Sequence, residues 1–142
     1  MTLEERWSYL NALDNELLKG GVILSEWCSF IVCETDTAFA NGAHLASILT
    51  AVSAIKAYLN SEYPANKKDK LVDIINQAQI DTELKKDMHT LRKYRNKWVH
   101  VEDPWNDEDL LTNRSQVEAE LENMALFAAR TLRKTIYENQ WI

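Results

Sequence analysis

Glycine, proline and cysteine are scarce in this chain of 142 residues: there are 3 Gly, 2 Pro and 2 Cys. Few glycines and prolines leave few turns, which disfavours a sandwich or barrel, where turn signals recur every ~8–12 residues. Long helices are expected instead. Cys28 and Cys33 fit neither a CxxC redox pair nor a zinc-knuckle spacing. Five residues apart on a helix they point about 140° away from each other, and both are expected to be reduced, mostly buried small side chains. With three His they form no zinc ligand set. No Gly-rich phosphate loop is present, which argues against a nucleotide triphosphatase. No apolar run approaches the ~20 residues that span a bilayer. The charged start, Met1-Thr2-Leu3-Glu4-Glu5-Arg6, is not a signal peptide, so a cytoplasmic protein without membrane contact is expected.

Excess positive charge is also missing. The formal net charge is −6, so the whole surface is not a nucleic-acid coat, although a local basic site is compatible with that total. The length suits one domain, residues 1–142, large enough to bury a core without staples.

Helical periodicity is plentiful. Thr2 with Glu5 forms a capping box ahead of Leu3, Trp7, Leu10, Leu13 and Leu17, which predicts a helix over about 3–19 closed by Lys19-Gly20-Gly21. Residues 22–38 are apolar and rich in β-branched side chains. A buried strand is conceivable there, but the length and the lack of a partner strand favour a buried helix. Asn41-Gly42 marks a turn. Leu45, Ile48, Leu49, Val52, Ile55 and Leu59 keep one face of a helix over 43–62 apolar, with Pro64 ending it. A short helix over about 67–78 follows. Asp81 or Thr82 caps a helix that runs to about Val101, where Pro104 and the acidic residues 102–109 break it. That acidic segment reads as a solvated loop or a contact for a basic partner. Ser115 with Glu118 reads as a second capping box, opening a last helix through Val117, Leu121, Met124, Ala128, Leu132 and Ile136. The expected architecture is an all-α bundle of four long helices plus a short one.

The helix over 82–101 holds the most unusual pattern. Leu84, Met88, Leu91, Arg95 and Trp98 follow by 4, 3, 4 and 3, the spacing of a bundle-facing seam. Arg95 thus stands where an apolar residue is expected and needs a partner or a use. A second stripe, His89, Lys93, Asn96 and His100, runs beside it, and Asn96 and His100 are i,i+4 neighbours whose side chains can meet. Arg95 and His100 lie ~140° apart around the axis, so one chain does not aim both at one ligand. Residues 81–100 hold six cationic and three anionic side chains, a local +3 against −9 for the rest. Such a focus suits an anion. The plain alternative is a solvated face, whose cations near the helix C-terminus answer the macrodipole.

Arg95-Asn96-Lys97-Trp98-Val99-His100 is an Arg-Asn-x-x-x-His motif near the end of a long helix. Upstream, Ala40-Asn41-Gly42-Ala43-His44-Leu45-Ala46-Ser47-Ile48-Leu49-Thr50 leads into an aliphatic helix ending at Tyr58-Leu59. Together with Trp98 inside the motif, these features resemble the HEPN superfamily. The resemblance covers most of the chain in layout, and its specific part is the hexapeptide. It implies an HEPN-like bundle that forms a homodimer, with paired Arg95 and His100 residues lining a composite cleft. It further implies a metal-independent endoribonuclease without cofactors, a toxin of a toxin–antitoxin pair or an antiviral-defence effector. RNA would be its substrate, and an antitoxin or defence-system component a partner. Catalytic roles fall to Arg95, Asn96 and His100, with Lys93, Lys97, His89 and Trp105 as RNA-binding candidates. The alternatives are an inactive HEPN-like binding or scaffold module and a purely structural helical-bundle protein.

Other residues carry two readings each. His44 is expected to cap or pack at a helix start, with a ligand contact as the lesser alternative. His89 is an RNA contact or a solvated residue. Trp27 and Trp98 look like core or dimer anchors. Trp105 could stack a base, although packing over the motif helix is the preferred expectation.

Overall fold

The computed structural model describes residues 1–63 and 69–142, and the described residues are helical throughout apart from short connections. In chain order the helices are α1 (Leu3–Leu17), α2 (Glu26–Ala40), α3 (His44–Glu62), α4 (Leu71–Gln77), α5 (Thr82–Val99), α6 (Glu108–Thr112) and α7 (Arg114–Ile136). The all-α class stands, but four long helices and one short one is too low a count. The described residues hold five long helices and two short ones. The helix expected over 22–38 begins only at Glu26 and buries just Cys28, Thr35, Phe39 and Ala40, and the acidic segment is a loop as expected through Asp107, with the short α6 beginning at its end.

The α3 helix lies at the centre, packed against α2 and α7 and flanked by α4 and α5. Its Ile48, Val52, Ile55 and Leu59 are buried with Leu10 and Leu13 of α1, Phe39 of α2, Met88 and Leu91 of α5 and Leu132 of α7. These positions are the apolar stripes of the sequence, so the core forms where helical periodicity aims it. No helix among the described residues is long and apolar enough to cross a membrane.

Several ends differ from expectation. The Thr2–Glu5 capping box forms, with both reciprocal bonds at 3.1 Å. However, α1 stops at Leu17, and Lys19-Gly20-Gly21 is not its cap. Gly21 instead exchanges backbone bonds with Trp141 at 2.8 and 3.0 Å. A Cβ on Gly20 would sit 2.0 Å from the Trp141 carbonyl oxygen, so close approach to the C-terminal segment explains glycine there. Ser25 caps α2 by accepting from the Cys28 amide at 3.1 Å, so the helix begins after Val22–Leu24. Gly42, at φ 76°, makes the left-handed turn into α3. The helix over 43–62 ends at Glu62; Pro64 and the start of the helix expected from 67 lie outside the described residues. The Ser115–Glu118 box does not form. The α7 helix starts two residues earlier, at Arg114 with Asn113 as its N-cap, and Glu118 pairs with Arg114 at 3.3 Å.

Burial corrects two side-chain expectations. Cys28 is buried but Cys33 is exposed, because their separation around α2 aims one at α3 and the other outward. Trp27 is 81% exposed and anchors no core in this chain.

A buried polar knot ties α1, α2 and α7 together. Arg133 is 3% exposed, donates from Nε to Asp14 at 2.9 Å and grips both carboxylate oxygens of Asp36 at 3.0 and 2.8 Å. Tyr137 donates to Asp14 at 2.7 Å. At the same end of α7, Tyr58 and Tyr63 both donate to Glu138. Burial, followed by these bonds to Glu138, pushes both phenols above their ordinary range.

Candidate anion and RNA site on α5

Asp81 opens α5, its carboxylate accepting from the Leu84 amide at 3.1 Å. The helix ends at Val99 and not Val101; His100 is the C-cap residue, its amide donating to the Asn96 carbonyl at 3.0 Å. Leu84, Met88 and Leu91 are buried as the seam predicts, whereas Arg95 and Trp98 at its end are half-buried. The seam therefore opens toward the C-terminus of α5. Arg95 is accommodated there because its guanidinium reaches the helix boundary with water, where desolvation is incomplete.

Asn96 does not meet His100 through its side chain. Its Oδ1 accepts from Arg95 Nε at 2.9 Å, because the guanidinium stem folds along the helix toward the adjacent amide. This fixes one edge of Arg95 and leaves its two terminal nitrogens with no hydrogen bond or carboxylate among the described residues. His100 is exposed, and five residues on from Arg95 along α5 it lies about 140° around the axis from it.

The four RNA-binding candidates divide. Lys97 is engaged: it pairs with Glu120 of α7 at 3.5 Å and lies over the Tyr94 and Trp98 rings at 5.6 and 5.9 Å. Trp105 is 88% exposed and does not pack over α5, contrary to the preferred expectation; its amide bonds to Asp103 at 3.2 Å. His89 and Lys93 come together in an open pocket of about 570 Å³ where α4 approaches α5. Lys85, Lys86, Arg92 and Asn76 line it with them. His89 is not a freely solvated residue. Its Nε2 faces Asn76 Oδ1 at 2.8 Å, and its Nδ1 faces Arg92 Nε at 3.3 Å. Arginine can only donate and the amide oxygen can only accept, so the proton is on Nε2 and the ring is neutral. Burial, followed by the charges of Arg92, Lys93 and Lys85, holds its pKa below the ordinary value.

Asn76, Lys85 and Arg92 were not singled out from sequence. Lys85, His89 and Arg92 follow by 4 and 3, a spacing that was available as a signal. Asn76 belongs to α4 and reaches the pocket only through the tertiary fold.

His44 packs, as expected, edge-on to Phe39 with ring centroids 6.4 Å apart. Its Nδ1 and Arg6 Nε are buried without a hydrogen-bond partner among the described residues. Burial lowers the pKa of His44; Glu122 raises it in part, and Arg6 lowers it further. Trp98 Nε1 is likewise buried without a partner. No group of His, Cys, Asp and Glu among the described residues has the arrangement to hold a metal ion.

Compared with family models, curated proteins and solved structures, the chain matches none of them.

Proposed function

We propose that this chain is a metal-independent endoribonuclease of HEPN type, acting in toxin–antitoxin or antiviral-defence systems, with a composite cleft formed by two copies. The observation that carries the reading is the Arg95–Asn96 hydrogen bond beside an exposed His100. Arginine held by one edge at the mouth of an apolar seam offers its other donors to a phosphate in fixed geometry. Histidine at a helix end, open to solvent, can exchange a proton with a reacting group.

The chemistry follows from RNA itself. The ribose 2′-OH attacks the adjacent phosphorus while His100 of one copy takes its proton. The bond from phosphorus to the 5′-oxygen breaks, and His100 of the second copy supplies the proton that the leaving oxygen needs. The products are a 2′,3′-cyclic phosphate and a 5′-OH end. Arg95 donates to the non-bridging oxygens as charge builds on them. Asn96 keeps the guanidinium in place through Nε, a role that replaces orientation of His100.

A second copy is needed because Arg95 and His100 diverge around α5. Apolar surface near the motif supports this: Val99, Val101 and Leu111 are 45%, 53% and 76% exposed, an arrangement that favours cover by another protein surface. The test is incubation of purified protein with single-stranded RNA in EDTA. Fragments ending in 2′,3′-cyclic phosphate are expected. Intact RNA, or 5′-phosphate ends, would refute the reading.

A further inference from the structure

Four cations surround one open pocket with no carboxylate within 4 Å among the described residues, and such a cluster attracts an anion. Lys85, Lys86, Arg92 and Lys93 are in that position in the pocket between α4 and α5. The ion pairs of α5 lie elsewhere: Lys97 with Glu120, and Asp87 with Lys134 of α7. The pocket is also organised. The amide oxygen of Asn76 anchors His89, and neutral His89 in turn accepts from Arg92 Nε. That leaves the terminal nitrogens of Arg92 as the free donors, an edge suited to two oxygens of one phosphate. Lys85 donates to the Asn76 backbone carbonyl at 3.0 Å, which fixes the near wall.

The pocket shares a helix face with the motif. At about 100° per residue, Lys85, His89, Lys93, Asn96 and His100 fall in a sector roughly 80° wide. At 1.5 Å per residue, His89 and His100 are about 16 Å apart along the axis. We infer that this pocket holds a backbone phosphate of single-stranded RNA a few nucleotides from the cleaved bond, so that the strand runs along α5 from the α4 junction to His100. The phosphate chemistry stands on the pocket; that the strand continues to a cleaved bond rests on the nuclease reading. Arg92 and Lys93 are the principal phosphate contacts, and His89 is a positioning residue for Arg92.

The experiment uses a fluorescent single-stranded RNA with 2′-O-methyl riboses, which cannot cyclise, and reads anisotropy across a salt series. Wild-type protein should bind, and the His89 ring resonances should move on addition of the oligonucleotide. Arg92→Gln/Lys93→Gln should weaken binding roughly tenfold and make the slope of log affinity against log salt shallower by about 0.7–1.4. Lys19→Gln/Lys56→Gln, an equal loss of charge outside the pocket, should leave both unchanged. The inference is overturned by absent RNA binding, by unmoved His89 resonances, by unchanged binding in the pocket variant, or by an equal loss in the control. Its failure is separable from that of the nuclease reading: binding as predicted without cleavage of unmodified RNA refutes the nuclease alone.

Discussion

Replacing Arg133 with alanine should cost this fold more than any other removal of a single charge. The side chain is 4% exposed and makes three charge-assisted bonds to two carboxylates. Alanine would strand Asp36, whose side chain is 18% exposed and whose two oxygens both face the guanidinium. The Asp14 side would suffer less, since it is 35% exposed and keeps the Tyr137 hydroxyl. Breaking a buried pair by removing one partner costs about 3–5 kcal/mol, and the residual access of Asp14 places the expectation near 3 kcal/mol. Against a total stability of about 5–15 kcal/mol, that is a large share. At roughly 3–4 °C per kcal/mol for a domain of this size, the midpoint should fall by about 10 °C.

Thermal melts followed by circular dichroism measure this. Arg130→Ala is the control: it lies one turn away on α7, and its pair with Glu16 is largely exposed, so its loss should cost at most about 1 kcal/mol. Adding Asp14→Asn and Asp36→Asn to Arg133→Met should recover part of the loss, because stranded charge and not missing volume is the main cost. A midpoint for Arg133→Ala within about 2 °C of wild type, or equal to that of Arg130→Ala, would refute the reasoning.

Other outcomes follow from the same structure. Arg95→Ala removes a half-buried cation with no carboxylate partner among the described residues, so the melting midpoint should stay within a few degrees while RNA cleavage falls at least 100-fold; a collapse in stability with proportionate loss of activity would make Arg95 structural. For His44 and His89, whose folded pKa values lie below the unfolded value of 6.5, the unfolded state binds more protons. Their contribution is therefore present above pH 6.5 and is lost as pH falls from there through the lowered folded pKa values. His44→Phe should flatten the fall of the melting midpoint between pH 7 and 5, and an unchanged pH profile would contradict it. In native protein a thiol reagent should modify Cys33 quickly and Cys28 only on unfolding, since Cys28 is buried and its pKa is raised by that burial, then by Glu62. Equal rates, read by mass spectrometry, would show that α2 opens locally.

The parts legible in sequence were those set by local periodicity. Leu84, Met88 and Leu91 fall in the core because their spacing aims them there, and Thr2 caps because Glu5 stands three residues on. Features that depend on distant chain segments were not legible. Gly20 and Gly21 looked like a helix cap, yet their lack of a Cβ serves Trp141, 120 residues away. The burial of Arg133 was not legible either, since its partners Asp14 and Asp36 lie on other helices. On α5 the stripe through His89, Lys93, Asn96 and His100 was visible, but the pocket closed by Asn76 was not. The i,i+4 spacing lets Asn96 and His100 meet, whereas the longer Arg95 side chain, beginning one residue away, takes the Asn96 oxygen.

The most direct test of the proposed function is the rate of RNA cleavage in EDTA by His100→Ala beside wild type, with helical circular dichroism and native mass recorded on the same samples. Wild-type protein should cleave as a dimer. The variant should remain helical and dimeric yet cleave at least 100-fold more slowly, within the 10²–10⁴-fold range that general acid–base groups supply. Equal cleavage by the folded variant would contradict the assignment.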